Sequence, residues 1–204
     1  MTARLLLASR NPKKLLELRR IVGALLPDVK VLGLDDVPPY DEVPETGATF
    51  AENALLKARE AVLQTGLAAV GDDSGLTVDA LNEMPGIFSA RWAGRHGDDR
   101  ANLDLLLAQL ADVPDERLQA AFVCAAALVT PVGSEDVVHG TMRGRLVREP
   151  KGANGFGYDP IFVPEGCTVT AAEQSAAEKD AVSHRGQALR ELVPAIARAF
   201  GAAS

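Results

Sequence analysis

The fold is set by the stretch Arg4-Leu5-Leu6-Leu7-Ala8-Ser9-Arg10-Asn11-Pro12, in which a short apolar run is followed at once by a helix start. Residues 4–8 predict a first strand, because short apolar runs are typical of buried strands. Asn is a preferred N-cap and Pro is favoured at the first helical position, so a helix should begin at Pro12. Apolar residues at helical spacing predict its buried stripe: Leu15, Leu18, Val22 and Leu25.

The rest of the chain alternates in the same way. Further strands are expected over residues 29–34, 67–70, 76–81, 120–130, 136–147 and 160–163. Further helices are expected over about residues 50–64, 100–111 and 184–200, the first opened by the capping box from Thr49 to Glu52. Residues 120–130 and 136–147 predict an antiparallel hairpin that turns at residues 131–133. This order indicates an α/β fold with a mixed sheet in two lobes and a cleft between them.

Length and composition limit the classes of function. The 204 residues suffice for one large domain or two small lobes, and 47% hydrophobic with 24% charged residues is the balance of a globular protein. A formal net charge of -7 argues against a general nucleic-acid binder, which usually carries a basic face. No apolar run approaches the ~20 residues that span a bilayer. Cys124 and Cys167 form no CxxC pair and are expected to be buried, which with the lack of a signal peptide predicts a cytoplasmic protein.

The acidic segment Gly71-Asp72-Asp73-Ser74-Gly75 follows an apolar strand and is predicted to be a turn. Consecutive strand residues point to opposite faces, so one aspartate can face a cleft while the other turns away. Carboxylates at a strand end suit Mg²⁺, which usually takes one or two of them together with phosphate oxygens. A turn stabilised by its own Asp side chains is an equally good interpretation from this segment alone.

The junction between the first strand and the first helix could bind an anion. Free backbone N–H groups and the helix dipole favour negative charge there, and Ser9, Asn11 and Lys14 add a hydroxyl, an amide and a cation. Taken alone, the better interpretation is an ordinary capped helix with a solvated lysine. The chain has no GxxxxGK[ST] motif, so this is not a Walker A loop.

Other candidate residues are weaker when taken singly. Glu45 could be a second carboxylate for the ion, or a solvated loop residue, and Lys57 on the second helix could face a cleft or water. The glycine-rich loop of residues 152–159 could place Phe156 and Tyr158 against a flat base, or its aromatic side chains could fill the core. Residues 178–186 could bind phosphate or a base carbonyl, or form a charged and capped helix start.

Together these segments, in this order, form a set of motifs: residues 9–14 with Glu17, 45–47, 50–53 with Lys57, 72–76, 85–87 with 89–91, 155–160 and 183–186. The set resembles the inosine triphosphate pyrophosphatase family, in particular its bacterial members that act on dITP, ITP and XTP. The resemblance runs over nearly the whole chain, as a single two-lobed domain of residues 1–204. One departure is Ser9, which stands where many members have Thr, and both side chains carry a hydroxyl.

The resemblance implies Mg²⁺-dependent hydrolysis of a non-standard purine nucleoside triphosphate to the monophosphate and pyrophosphate, which cleanses the nucleotide pool. It also implies a long mixed sheet and a homodimer. By similarity, Asp73 is the catalytic acidic residue and Glu45 and Asp73 are the metal ligands. The implied substrate-binding residues are Ser9, Arg10, Asn11, Pro12, Lys13, Lys14, Lys57, Ser74, Phe156, Gly157, Tyr158, Asp159, Lys179, His184 and Arg185.

Physical chemistry is consistent with these roles. Mg²⁺, Lys14, Lys57 and a helix N-terminus can neutralise a triphosphate, and Asp73 can orient or deprotonate the attacking water. A donor from Arg185, His184 or the backbone would accept a 6-keto purine and face the 6-amino donor of adenine. Two alternatives stay open: a pyrophosphatase for other modified nucleotides, and a non-catalytic nucleotide-binding module.

Overall fold

The computed structural model describes residues 3–175, 178 and 182–201. The strands are β1 (Ala3–Leu7), β2 (Val29–Leu32), β3 (Ala68–Val78), β4 (Gln119–Val129), β5 (Glu135–Leu146) and β6 (Phe162–Pro164). The helices are α1 (Pro12–Leu25), α2 (Phe50–Thr65), α3 (Asp99–Gln109) and α4 (His184–Phe200), with short 3-10 segments that include Gly86–Arg91 and Asp159–Ile161. The predicted α/β class is confirmed.

The six strands form one sheet in the order β2-β1-β3-β4-β5-β6. β1 pairs in parallel with β2 and with β3, and β6 pairs antiparallel with β5. The sheet is therefore mixed, as predicted. β4 and β5 are sheet neighbours that are joined by residues 130–134, which confirms the predicted hairpin.

α1 starts where its sequence predicted. The Asn11 side chain accepts the N–H of Lys13 at 3.0 Å, and Pro12 is the first helical residue. Leu18 and Val22 are buried, together with Ile21. The predicted burial of Leu25 is wrong, because Leu25 is 54% exposed and the chain leaves the helix at Leu26, which is buried in its place.

α2 also follows its sequence signals. The Thr49 hydroxyl accepts the N–H of Glu52 at 3.1 Å, so Thr49 is the N-cap. The helix ends at Gly66, whose φ of 67° lies in the left-handed region that favours glycine. The predicted bounds are confirmed to within a residue or two.

The prediction of a turn over residues 71–75 is wrong. β3 continues through this segment from Ala68 to Val78 without a break. Asp72 and Asp73 bond to side chains from other elements, so they do not need the local bonds of an Asp turn. Gly71 serves close packing, because a Cβ at this position would overlap the carbonyl oxygen of Ala54 in α2.

Side chains alternate between the two faces of this part of the sheet. Leu5, Leu7 and Val70 belong to the core cluster formed with α1 and α4. Leu6, Ala8 and Ala69 belong to a cluster with Ala61 of α2. By the same alternation, Asp72 faces the side of α1 and α4, and Asp73 faces the side of α2.

The chain divides into two compact units. Unit 1 comprises Met1–Asp73, Cys124–Gly140 and Arg185–Ser204, and unit 2 comprises Ser74–Val123 and Thr141–His184. The core of unit 2 is built from side chains of its own strands and α3, including Leu76, Leu106, Phe122 and Phe162. The predicted cleft between lobes and the single domain of residues 1–204 stay predictions.

The two cysteines differ in their surroundings. Cys124 is buried, as expected, whereas Cys167 is only half-buried, and the two are not joined in a disulfide. Among the helices in the described part of the chain, none is long and apolar enough to cross a membrane.

Candidate functional site

Asp73 lies at the centre of a polar cluster in unit 1. Asn53 of α2 donates its side-chain N–H to Asp73 Oδ2 at 3.1 Å, and Lys57 Nζ lies 3.3 Å from Asp73 Oδ1. Asn53 and Lys57 are four residues apart on α2 and so share one face of the helix. The Asn53 amide oxygen also accepts the N–H of Gly47 at 2.8 Å, which ties the loop containing Glu45 to the same cluster.

Lys57 connects the two predicted metal ligands. Its Nζ atom lies 2.6 Å from Glu45 Oε1, 3.3 Å from Asp73 Oδ1 and 3.2 Å from the backbone oxygen of Asp72. The lysine therefore faces the cluster and not water. We name Glu45, Asn53, Lys57 and Asp73 the Asp73 cluster.

The Asp73 cluster carries two carboxylates for one ammonium group. Burial raises the pKa of Asp73, and repulsion by Glu45 raises it further, so that attraction to Lys57 does not restore its usual value. Burial would lower the pKa of Lys57, but Asp73, Asp72 and Glu45 outweigh this effect and raise it. The cluster thus holds an excess of negative charge in a partly buried place.

Asp72 occupies a different environment on the other face of β3. Its Oδ2 atom lies 2.7 Å from Lys14 Nζ and 3.3 Å from Arg185 Nε, and Nη1 of Arg185 lies 3.5 Å from Glu17 Oε2. We name Lys14, Glu17, Asp72 and Arg185 the Asp72 cluster. Burial alone would raise the pKa of Asp72, but Lys14 and Arg185 hold it well below its usual range.

The start of α1 presents cations where a helix ordinarily presents acids. The first turn contains no acidic residue, and Lys13 and Lys14 follow Pro12 directly. Ser9 Oγ accepts the N–H of Asn11 at 3.2 Å, so the side chains of Ser9 and Asn11 both fix the backbone of this turn. Cations are unfavourable beside the positive end of a helix dipole unless an anion lies close to them. For Lys14 the Asp72 carboxylate is such an anion. Arg10 is exposed and pairs with Glu42.

Glu45 and Asp73 fit Mg²⁺ by their chemistry and by their arrangement. Both carboxylates already approach one cation, the Lys57 ammonium, and they outnumber it. Within residues 3–175, 178 and 182–201, no group of three or more His, Cys, Asp and Glu side chains is placed to hold a metal. Mg²⁺ usually takes one or two carboxylates from a protein, together with water and phosphate oxygens, and Glu45 and Asp73 are such a pair.

The glycine-rich loop of unit 2 is organised by Asp159. This buried carboxylate accepts the N–H of Phe156 at 2.9 Å, and it fills the space that a Cβ on Gly155 would need. Tyr158 is buried, and its hydroxyl donates to the backbone oxygen of Ser89 at 2.9 Å. The alternative in which an aromatic side chain fills the core therefore describes Tyr158. Phe156 is 41% exposed, and Gly157 N donates to Asp99 Oδ2 at 2.9 Å.

The remaining predicted residues lie near the start of α4 and on β3. The His184 ring is buried and stacks on Phe122 in unit 2, with ring centroids 5.1 Å apart and an interplanar angle of 14°. Arg185 begins the return into unit 1 and belongs to the Asp72 cluster. Ser74 is a half-buried residue of β3. Lys179 lies outside the described residues.

Asp72, Glu17 and Asn53 belong to these clusters although the sequence alone predicts no role for them. Asn53 carries a signal that could have found it, since a polar residue four positions before Lys57 interrupts the apolar face of α2. Asp72 and Arg185 are 113 residues apart, and Glu17 and Arg185 are 168 residues apart. No local pattern could have identified those pairs.

Comparison with known proteins gives consistent matches over nearly the whole chain. The sequence model of the Ham1 family matches residues 5–195. The dITP/XTP pyrophosphatase of Nocardia farcinica is 65% identical over 196 residues, which is 96% of this chain and 95% of that protein. The dITP/XTP pyrophosphatase of Mycobacteroides abscessus is 64% identical over 192 residues, which is 94% of this chain and 93% of that protein.

Solved structures agree. The crystal structure of a nucleoside-triphosphatase, dITP/XTP pyrophosphatase, from Mycobacterium abscessus superposes with a TM-score of 0.79 at 64% identity, covering 94% of this chain and 99% of that one. A HAM1 protein from Coxiella burnetii superposes with a TM-score of 0.86 at 42% identity, covering 96% of this chain and 99% of that one.

Proposed function

Because this chain belongs to the Ham1 family, we propose that it hydrolyses non-standard purine nucleoside triphosphates (dITP, ITP, XTP and dXTP) to the monophosphate and pyrophosphate. The family resemblance drawn from the motifs is confirmed, and the named relatives are dITP/XTP pyrophosphatases. The observation that carries the proposal is the Asp73 cluster, in which two carboxylates and a lysine come together at the middle of β3. Such an activity removes these nucleotides from the pool.

The triphosphate binds at the start of α1. Its negative charge matches the N-terminal end of the helix dipole and the ammonium groups of Lys13 and Lys14, with no acidic residue in that turn to oppose it. Lys57 supplies a further positive charge beside Asp73. Neutralising the phosphate oxygens lets a water molecule approach phosphorus.

Glu45 and Asp73 would hold Mg²⁺, which when bound supplies positive charge to the phosphate oxygens. Asp73 orients the attacking water and accepts its proton. Its raised pKa makes it a stronger base than an ordinary aspartate, and Asn53 and Lys57 each fix one of its oxygens. In unit 2, the exposed ring of Phe156 is the candidate surface for stacking on a purine base.

The test is a substrate panel. Purified protein with Mg²⁺ is incubated with dITP, ITP, XTP and dXTP, and in parallel with dATP, dGTP and a modified pyrimidine triphosphate. We expect the first four to give monophosphate and pyrophosphate, with at least about tenfold lower kcat/KM for dATP and dGTP. Both pyrophosphate and orthophosphate are measured directly.

Three outcomes would contradict the proposal. Release of orthophosphate would place cleavage at the terminal phosphate and not between the first and second. Faster turnover of a modified pyrimidine would favour the alternative substrate class. Tight binding without turnover at any Mg²⁺ concentration would favour a non-catalytic binding module.

The family resemblance also predicts a homodimer, and the sequence predicts a cytoplasmic location. Both stay predictions. Light scattering on purified protein measures the first.

A further inference from the structure

We propose that Asp72 is a positioning residue for this reaction, which holds the side chains of Lys14 and Arg185 in place through one buried carboxylate oxygen. The proposal rests on the function given above. It assigns no contact between Asp72 and the nucleotide, and it distinguishes Asp72 from its neighbour Asp73, which faces the opposite side of β3.

The geometry of the Asp72 cluster supports this role. One atom, Asp72 Oδ2, lies 2.7 Å from Lys14 Nζ and 3.3 Å from Arg185 Nε. The Asp72 side chain is 1% exposed, so water does not compete for these ion pairs. The three residues come from α1, β3 and α4. A single carboxylate therefore fixes two long cationic side chains from two helices relative to one strand.

Fixing Lys14 has a direct consequence for phosphate binding. A lysine on a surface helix samples many rotamers, and that freedom is lost when it binds a ligand. Lys14 is only 15% exposed and is already held by Asp72 in the first turn of α1. Its ammonium group is thus ordered before a triphosphate arrives, which favours a productive arrangement of the reacting groups.

The charges of the Asp72 cluster determine how its loss would affect the kinetics. Replacing Asp72 by Asn removes one negative charge from beside Lys14 and Arg185 and so makes the surroundings of the proposed phosphate site more positive by one unit. The added positive charge offsets the cost of ordering Lys14 when the triphosphate binds, whereas a misplaced lysine slows the chemical step. The loss should therefore appear in kcat and not in KM.

The experiment compares Asp72→Asn with Asp136→Asn, which removes the carboxylate from another arginine pair in unit 1, with Arg198, away from the proposed site. With dITP and Mg²⁺, we expect D72N to lower kcat at least about tenfold with KM unchanged or lower, and D136N to leave both within about twofold. Rates are normalised to folded protein, measured by near-ultraviolet circular dichroism.

A double-variant cycle tests whether Asp72 acts through Lys14. Lys14→Gln combined with Asp72→Asn is expected to lower kcat by less than the product of the two single effects, because the part of the Asp72 effect that acts through Lys14 is already gone. A merely structural role would give an unchanged kcat per folded molecule in D72N. That result, or a double variant slowed by the product of the two single effects, would overturn the proposal.

Asp72→Glu keeps the proposal testable if D72N does not fold. This variant retains the negative charge but moves the carboxylate by one methylene group, so it should lower kcat at least about threefold per folded molecule. A wild-type kcat in D72E would overturn the proposal. Failure of the wild-type protein to release pyrophosphate from any triphosphate would reject the proposed function itself, which is a separate outcome.

Discussion

Asp72 and Asp73 are consecutive residues of β3, and they show how the two faces of one strand can be used differently. Asp72 is enclosed between α1 and α4, where two cations balance it and Glu17, and its pKa is lowered. Asp73 faces α2, where one lysine serves two carboxylates, and its pKa is raised. The balanced cluster suits a fixed framework, whereas the cluster with excess negative charge suits a cation and a proton acceptor.

The largest expected effect is on turnover by Asp73→Asn. Removing the proposed base should lower kcat for dITP by roughly 10³-fold, because positioned acid–base groups typically contribute 10²–10⁴-fold. The protein should remain folded for two reasons. Asn keeps the shape of the side chain, and the Asp73 cluster has more carboxylates than ammonium groups, so it can lose one carboxylate. Near-normal turnover in this variant would remove the distinction between the two aspartates.

For stability, the larger effect is expected from the substitution of Asp72 and not from that of Asp73. Asp72→Asn leaves Lys14 and Arg185 with less buried counter-charge and should lower the free energy of unfolding by about 3 kcal/mol, as breaking buried ion pairs does. Asp73→Asn should leave it unchanged or raise it. Urea denaturation of both variants and of D136N measures the difference. Equal destabilisation by the two substitutions would contradict the contrast between their environments.

A third prediction concerns the metal. Glu45→Gln removes one of two proposed ligands and should raise the Mg²⁺ concentration for half-maximal activity by at least about tenfold. Glu42→Gln is the matched control, because Glu42 lies in the same loop and pairs with the exposed Arg10. An unchanged Mg²⁺ requirement in E45Q would leave Asp73 as the sole protein ligand.

The smallest expected effect is the pH dependence of stability in the metal-free protein. Because the pKa of Asp72 is lowered, its carboxylate stabilises the fold at every pH above the ordinary pKa of an aspartate. This contribution is lost as the pH falls below that value. The raised pKa of Asp73 acts in the opposite direction, since its contribution is present at low pH and is lost as the pH rises through its folded-state pKa.

Urea denaturation between about pH 2 and pH 8 tests both signs, because the contribution of Asp72 is lost only below the ordinary pKa of an aspartate. Relative to wild type, D73N should become more stable as the pH rises. The deficit of D72N should shrink as the pH falls. A stability difference between D73N and wild type that does not vary with pH would mean that Asp73 has an ordinary pKa.

Local sequence signals predicted the elements well where their causes are local. The caps at Asn11 and Thr49 and the hairpin after residue 129 are all formed as expected. The prediction for residues 71–75 was wrong because two glycines, two aspartates and a serine have low propensity for a strand. Partners from distant helices nevertheless hold this segment extended. Tertiary contacts overrode the local preference.

The candidate site was predictable only in part, because some of its contacts follow from local sequence and others join distant parts of the chain. Alternation along a strand already separated Asp72 from Asp73, and the structure places them on opposite faces with different partners. The residues that bind Asp72 come from both ends of the chain, so their meeting depends on the sheet order and not on any spacing. The role of Asp72 therefore became visible only with the fold.

Gly71 limits how this protein can be engineered for heat resistance. Filling a core with larger side chains is a usual route to a higher melting temperature. Here the contact between α2 and β3 is made by Gly71 against Ala54 and Ala58, and no added methyl group fits without moving the helix. Any such move would carry Asn53 and Lys57 with it. Screens for more heat-stable variants should therefore leave the contact between Gly71 and α2 unchanged. They should begin on the solvent-facing side of α2, where Leu63 is 77% exposed.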